Sequence, residues 1–339
     1  MIKDALSIEQ LNVQIKDLRI LKDFSLNLDQ GDILCLLGPS GCGKTTALKA
    51  IAGLIPATSG RIKLFENVIQ DKNKNLNSLP ENRGMGFIFQ DYALFPHLTV
   101  YENVAFSLKG QSKSDIEKKV NTNLKLVQLN GLEDRYPHQL SGGQQQRTAV
   151  ARALSSQPKL LLMDEPFSNV DNQVKLQMMA ELRELLKANN ITCIFVTHSK
   201  QEAFSFADKT AVLNNGSIEQ VDITKNILEQ PSNVFVAKFM EAGNIIDSSN
   251  LSGGLLSQAD KLTNGLYLLK ESGFEISIKK DSRGVKVHVL NCLYIGYRYR
   301  IKAILSDSNV TLKVETAEPI EVGSEAFLKY IHQPVRVSN

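Results

Sequence analysis

The apolar residues of this chain follow two different rhythms. In the first part, short uninterrupted apolar runs alternate with stretches of helical period. Ile33-Leu34-Cys35-Leu36-Leu37, Leu160-Leu161-Leu162-Met163 and Ile191 to Val196 are apolar throughout or nearly so, which predicts strands buried on both faces of a parallel sheet. A helix is predicted from Lys44 to Ala52, stopped by Gly53 with Pro56 beyond it. Ile116, Val120, Leu124 and Val127 fall on one face of a second helix, and Met178, Leu182, Leu185 and Leu186 on one face of a third. Asn215-Gly216, between Ala211-Val212-Leu213 and Ser217-Ile218-Glu219, predicts a hairpin turn. In the last part a period of two takes over, in Phe274 to Lys279, Val285 to Val289 and Tyr297 to Ala303, as half-buried antiparallel strands require. Gly243-Asn244 and the polar run Asp247-Ser248-Ser249-Asn250 interrupt the pattern between the two parts. The expected organisation is an α/β domain over residues 1–240 and a small all-β domain over 241–339.

Composition narrows this only a little. The chain has 339 residues, 42% hydrophobic and 22% charged, with a formal net charge of +3, which suits a globular protein of two domains and makes no case for a nucleic-acid partner. Met1-Ile2-Lys3-Asp4-Ala5 does not open a secretory signal, and no apolar run reaches the ~18 residues of a membrane span. The chain is therefore expected not to cross a membrane by itself. Cys35, Cys42, Cys193 and Cys292 are widely spaced, so reduced and mostly buried thiols are expected in place of a zinc site or disulfides.

The strongest chemical signal is Gly38-Pro39-Ser40-Gly41-Cys42-Gly43-Lys44-Thr45, followed by Thr46. Glycines at these spacings let the backbone curl until successive N–H groups face phosphate oxygens, and the helix that begins at Lys44 adds its positive end. Lys44 is placed to reach β- and γ-phosphates, and the Thr45 hydroxyl to bind Mg²⁺. A glycine-rich turn without a ligand is the plainer reading, but the loop stands directly between a buried strand and a helix, where a phosphate site belongs. The run Leu160 to Met163 then ends in Asp164-Glu165, at the strand terminus where a doubly wound sheet meets its ligand. Asp164 is the candidate to hold Mg²⁺ and Glu165 to polarise an attacking water. Alone, the pair fits a helix cap equally well; beside a phosphate loop the catalytic reading is favoured.

Ser141-Gly142-Gly143-Gln144-Gln145-Gln146-Arg147 separates this chain from other phosphate-loop proteins. Ser141 is expected to cap a helix running to about Leu154 and to offer a second phosphate-binding surface. The segment resembles the signature motif of the ATP-binding-cassette family, and residues 6–240 resemble that family throughout. The resemblance implies a RecA-like α/β core with a helical subdomain over about 91–156, ATP and Mg²⁺ as ligands, and two chains that sandwich each ATP. Ser141, Gly142, Gly143 and Gln144 would then meet the nucleotide held by the partner's loop. It also implies roles for three further residues. Gln90, in Phe87-Ile88-Phe89-Gln90-Asp91, is similar to the glutamine that senses Mg²⁺ and the attacking water. Asp171, in Ser168-Asn169-Val170-Asp171, resembles the acid that crosses the dimer interface. His198, in Phe195-Val196-Thr197-His198, resembles the histidine that contacts the γ-phosphate. One feature departs: the aromatic residue on which the family stacks adenine has Ile15 as its nearest counterpart, which packs on a base without π-stacking.

Asp91-Tyr92-Ala93-Leu94-Phe95-Pro96-His97-Leu98-Thr99-Val100 looks like the importer subclass served by extracytoplasmic solute-binding proteins. In that subclass Tyr92, Leu94 and Phe95 would face the membrane subunit, although packing of the helical subdomain explains them equally well. The tail resembles the OB-like accessory domain of the same importers. OB folds often bind oligonucleotides, but residues 241–339 carry 12 Lys+Arg against 11 Asp+Glu, without a basic stripe. A role in dimer contact or regulation is therefore preferred. The Arg-Pro-Glu sequence common there has only Lys279-Lys280-Asp281 as its counterpart. The expected protein is a peripheral ATPase at the cytoplasmic face of the inner membrane, partnered by a second copy of itself, by integral-membrane permease subunits and, indirectly, by a solute-binding protein. No nucleic acid is expected. Arg135-Tyr136-Pro137-His138-Gln139-Leu140-Ser141 and the single short accessory domain resemble the ferric-iron importers most; polyamine, thiamine, sulfate, phosphonate and sugar importers share most of the same motifs. A non-transport cassette acting on nucleic acid or ribosomes is the rival from another class, disfavoured because the chain has a single cassette and no long coiled-coil insertion.

Overall fold

A computed structural model describes residues 4–168, 170–250, 255, 262–279 and 284–338. The chain divides into two compact units, Met1–Thr224 and Lys225–Asn339. The expected division at 240/241 lies later than this one. Residues 225–240 carry a helix whose Ala237 is buried with Leu268 and Val337 of the second unit, which is why they cluster there.

The first unit holds two sheets. Strands β1 (Asp4–Ile15), β2 (Leu18–Asp29), β4 (Ser59–Leu64), β5 (Asn67–Asp71) and β6 (Leu76–Asn77) form an antiparallel sheet of order β2-β1-β4-β5-β6. The other sheet contains β3 (Ile33–Leu37), β7 (Met85–Ile88), β8 (Leu160–Asp164), β9 (Cys193–Thr197), β10 (Lys209–Asn214) and β11 (Ser217–Ile223), in the order β11-β10-β3-β9-β8-β7. Its pairings are parallel from β10 to β7, and only β11 joins antiparallel. Every residue of β3, β8 and β9 is buried, the outcome that unbroken apolar runs require when both faces of a sheet are covered. The hairpin between β10 and β11 turns at Asn215 and Gly216, with φ of 47° and 89°, the pair of left-handed residues that a two-residue turn demands.

Helix α1 (Lys44–Ala52) follows β3 and packs Ala47, Leu48, Ala50 and Ile51 into a core shared with both sheets. Gly53 ends it in the left-handed conformation, as its sequence predicts. The Arg83 guanidinium, only 2% exposed, donates to the carbonyls of Ala50 (3.1 Å) and Ile51 (2.7 Å), so a buried cation stands at the negative end of this helix. Between β7 and β8, α2 (Val100–Ala105), α3 (Lys113–Leu126) and α4 (Gly142–Ser155) pack on one another. Each starts at a hydroxyl: Thr99, Ser112 and Ser141 all accept a backbone N–H from the first helical turn. Helices α5 (Asn172–Ala188) and α6 (Lys200–Phe206) follow β8 and β9. Among the described residues, no helix is long and apolar enough to cross a membrane.

The second unit begins with the last residues of α7 (Thr224–Glu229) and with α8 (Val234–Met240). Strands β12 (Asn244–Asp247), β13 (Leu266–Leu269) and β19 (Val335–Val337) make a small sheet. The larger sheet runs β14-β18-β15-β16-β17, built from β14 (Phe274–Ser277), β15 (Val285–Tyr294), β16 (Tyr299–Leu305), β17 (Thr311–Thr316) and β18 (Glu325–Tyr330). The region beyond Met240 is thus all-β and OB-like. Asn244, expected to interrupt the chain, opens a strand. Its side-chain amide donates to Lys313 O at 2.8 Å and its carbonyl accepts from Lys313 N at 2.7 Å, so it behaves as one more backbone unit joining the two sheets. Tyr297, expected within a strand, lies in the turn closed by the Ile295 N–H donating to Arg298 O at 2.8 Å. Lys280 and Asp281 lie outside the described residues, as does Asn169.

Candidate nucleotide site

The sheet order places the ends of β3, β8 and β9 side by side, and the sequence-predicted residues sit at those ends. The loop between β3 and α1 turns twice through the left-handed region, at Gly41 (φ 79°) and Gly43 (φ 105°), where only glycine is free of strain. At Gly38 the constraint is space: a Cβ there would stand 2.4 Å from the backbone oxygen of Leu213 in β10. The Lys44 side chain is buried and reaches back across the loop, donating to Gly38 O at 2.8 Å and Pro39 O at 3.0 Å. Its ammonium is therefore held at the loop's mouth. Cys42 is buried beside it, with Sγ 4.0 Å from Lys44 Nζ; burial pushes this thiol up, and the lysine charge opposes that shift. Ser40 lies between the glycines at the rim of the loop, and Thr46 follows Thr45 in the first turn of α1.

Thr45 and Asp164 meet across the two strands. The Thr45 hydroxyl donates to Asp164 Oδ1 at 2.9 Å. Asp164 is 6% exposed, and burial raises its carboxyl above the usual aspartate range despite the Thr45 bond and the nearby Lys49 and Lys44 charges. A carboxylate held at such a cost is a natural seat for a cation. Among the described residues no group of three His, Cys, Asp or Glu could cage a metal ion. The donors brought together here are the Thr45 hydroxyl and the Asp164 carboxylate. That fits Mg²⁺, which takes few protein oxygens and completes its shell with phosphate and water.

Glu165 projects from the same strand end with its backbone in the left-handed region, φ 46°, a conformation that costs a non-glycine residue of order 1 kcal/mol or more. It is held there by its N–H donating to Val196 O (3.1 Å) and by the Ser168 N–H and hydroxyl donating to its carbonyl (3.2 and 3.0 Å). Two predicted partners converge on its carboxylate: Gln90 Nε2 lies 3.5 Å from Oε2, and His198 Nδ1 lies 3.6 Å from the same oxygen. Thus Gly38–Thr46, Asp164, Glu165, Gln90 and His198 form one cluster, although they come from four strand ends. Ile15 is further along the β1–β2 hairpin, 44% exposed and paired with Leu18. That hairpin does approach the phosphate loop, since a Cβ on Gly43 would stand 3.0 Å from Leu21 Cδ2 and 3.2 Å from Ile20 O.

The Ser141 segment is a separate surface. Ser141 Oγ accepts from Gln144 N (3.3 Å) while Gln144 Oε1 accepts from Ser141 N (3.0 Å), a reciprocal cap. Ser141 and Gly142 are exposed, and a Cβ on Gly142 would meet nothing within 4 Å. Asp171 lines the same cleft as Ser141, Gly142, Gly143 and Gln144.

Sequence reasoning missed the ties between these parts. Gln146 Nε2 (3.1 Å) and the Tyr92 hydroxyl (3.4 Å) both donate to Pro166 O, the residue after Glu165. Arg152 donates to Tyr92 O (2.7 Å) and Ala93 O (2.6 Å), spanning two consecutive left-handed residues. Tyr92 is 4% exposed. A paired kink at ordinary residues leaves no mark in sequence.

A family model described as ABC transporter matches residues 21–168. Across 333 residues, 94% of this chain and 90% of the relative, the chain is 41% identical to a sulfate/thiosulfate import ATP-binding protein, CysA, of Mannheimia succiniciproducens. The chain belongs to the ATP-binding-cassette transporter family. It is an import ATPase: it binds ATP and hydrolyses it to drive transport. Other cassette relatives include an Fe(3+) ions import ATP-binding protein, FbpC, of Fusobacterium nucleatum, 35% identical over 98% of this chain and 92% of that protein. A spermidine/putrescine import ATP-binding protein, PotA, of Clostridioides difficile is 38% identical over 99% of this chain and 98% of that protein. Among solved cassettes, cbiO1 of Clostridium perfringens, part of the ABC transporter complex cbiONQ, superposes with a TM-score of 0.61. It is 31% identical and covers 67% of this chain and 91% of its own.

Proposed function

We propose that this ATPase works as a dimer in which the Gly38–Thr45 loop of each chain and the Ser141–Gln144 surface of the other enclose one ATP. The catalytic part of this reading is carried by the convergence of Gln90 and His198 on Glu165 Oε2, beside a buried lysine and the Thr45–Asp164 pair. The two-chain part is supported by the exposed, open Ser141–Gly142 surface. Bound Mg²⁺ would be held by Thr45, Asp164 and Gln90, and its part is to neutralise charge on the β- and γ-phosphates. Lys44 Nζ exchanges its bonds to Gly38 O and Pro39 O for phosphate oxygens. Glu165 accepts a hydrogen bond from the attacking water and orients it for in-line displacement, while His198 contacts the γ-phosphate opposite. Positioning and charge stabilisation do most of the work, as in phosphoryl transfer generally. Ile15 packs against the base without stacking on it. The test is Glu165→Gln, assayed for phosphate release and for ATP binding. Turnover is expected to fall by about 10²–10³-fold with binding retained; turnover near the wild-type rate refutes the role of Glu165.

We further propose that the dimer sits at the cytoplasmic face of the inner membrane, bound to permease subunits that receive solute from an extracytoplasmic binding protein. Leu94 and Phe95, both half-buried, offer the permease contact. Tyr92, expected beside them, is buried with its hydroxyl on Pro166 O and packs the cassette interior instead. The OB-like region beyond Met240 serves dimer contact or regulation. Ferric iron is the proposed cargo, supported by likeness to the Fusobacterium iron relative along nearly the whole chain. Sulfate and polyamines are the second reading, favoured by the higher identity to relatives of those names. Cellular uptake of labelled ferric iron, sulfate and spermidine, with and without this chain, separates the three: loss of iron uptake alone is expected, and loss of another solute with iron intact overturns the assignment.

A further inference from the structure

The His198 side chain is 66% exposed, so apart from its approach to Glu165 Oε2 its imidazole ring is placed mainly by the turn beneath it. That turn is closed by its neighbours on either side. Thr197 Oγ1 accepts from Ser199 N at 3.0 Å and donates to Glu202 Oε2 at 2.6 Å, and Ser199 Oγ accepts from Glu202 N at 3.3 Å. Glu202 is 5% exposed, and Lys175 Nζ meets its other oxygen, Oε1, at 3.2 Å. Lys175 in turn lies in the first turn of α5, where its N–H donates to Asp171 O at 2.9 Å. A continuous set of bonds thus runs from Asp171, through Lys175 and Glu202, to the turn that presents His198. A cleft of about 500 Å³ lies alongside it, lined by Lys175, Leu176, Met179, His198 and Glu202 among others.

The charge in this chain of contacts needs a reason beyond stability. A buried carboxylate–ammonium pair stabilises a fold weakly, because desolvation offsets most of the attraction, whereas apolar residues would fill the same volume at no such cost. What the pair supplies is direction: Glu202 accepts from both Thr197 and Lys175, and so fixes the His198 turn relative to the start of α5. We infer that Lys175 and Glu202 are positioning residues that keep His198 in register with Asp171, so that the segment facing the partner chain and the γ-phosphate contact move together. This rests on the proposed role of His198.

The test uses the purified full-length chain and steady-state ATP turnover, with melting temperatures measured in parallel. Glu202→Gln keeps the shape and one hydrogen bond but removes the charge. It is expected to lower kcat by about 10-fold or more, since small misplacements of a catalytic group are costly, with KM for ATP within about twofold of wild type. Lys175→Met is expected to do the same, and Lys175→Arg to restore most of the rate. The control is the His198→Ala background: adding Glu202→Gln there is expected to cost less than about twofold, because a residue acting through His198 has nothing left to position. A wild-type kcat in both Glu202→Gln and Lys175→Met, or an equal loss with and without His198, overturns the inference. Full turnover in His198→Ala instead refutes the role of His198, a different failure from the first.

Discussion

The two glycine-bearing surfaces of the first unit are built in opposite ways. The Gly38–Thr45 loop is sunk between strand ends, with Lys44 and Asp164 at 7% and 6% exposure and Gly38 pressed against the backbone of β10. The Ser141 helix start lies open, its own hydroxyl and glutamine satisfying each other and open space around Gly142. Both are helix N-termini and both suit phosphate. The first is organised by its surroundings within one chain. The second stays exposed within one chain, which is the form expected of a surface completed by another molecule.

If that contrast is right, damage to each surface has a different signature. Lys44→Ala is expected to be the most severe change, lowering turnover by about 10³-fold and weakening ATP binding by the isolated chain; equilibrium binding of a fluorescent ATP analogue checks the second part. Ser141→Arg fills the open surface. It is expected to lower turnover by about 10²-fold with single-chain ATP binding unchanged, and a binding loss matching that of Lys44→Ala would break the comparison.

The fold was legible in sequence because its strongest signals are local. Unbroken apolar runs of about five residues, one of them ended by Gly38, suit doubly covered strands by their length and bounds, and Gly53 ends α1 where predicted. The candidate site was legible for a different reason, since each motif stands at a strand end or helix start. Its internal ties were not. Arg83 at the end of α1, Arg152 on Tyr92 O and Ala93 O, and Lys175 on Glu202 are joined only after folding, across long sequence separations. No local period marks a buried charge with distant partners. The compact units divide earlier than the expected boundary for a similar reason: α8 has an ordinary helical pattern, and packing on Leu268 and Val337 groups it with the second unit.

Smaller effects sharpen the picture of a preformed loop. Burial raises the Asp164 carboxyl above its unfolded value, so its ionisation opposes folding. The neutral form is at home at acid pH, and that contribution is lost as pH rises through the raised value. Asp164→Asn is therefore expected to match wild-type stability below about pH 4. At neutral pH it should melt at a higher temperature than wild type, while turnover falls. Thermal melts from pH 3 to 8 check this; a variant less stable than wild type at neutral pH contradicts it. Smallest is Ile15→Trp, which offers adenine a ring to stack on at the exposed end of the hairpin. ATP is expected to bind a few-fold tighter, since aromatic stacking contributes about 0.5–1.5 kcal/mol, and competition with GTP should show the gain to be greater for the better-stacking base.

The most direct measurement is a structure of the Glu165→Gln chain with Mg-ATP bound, read at one distance: from Ser141 Oγ to the nearest γ-phosphate oxygen. The expected result is a hydrogen bond, within about 2.5–3.0 Å, to the ATP in the loop of a second chain. A Ser141 remote from every triphosphate, with ATP seated in the Gly38–Thr45 loop, would contradict the two-chain site.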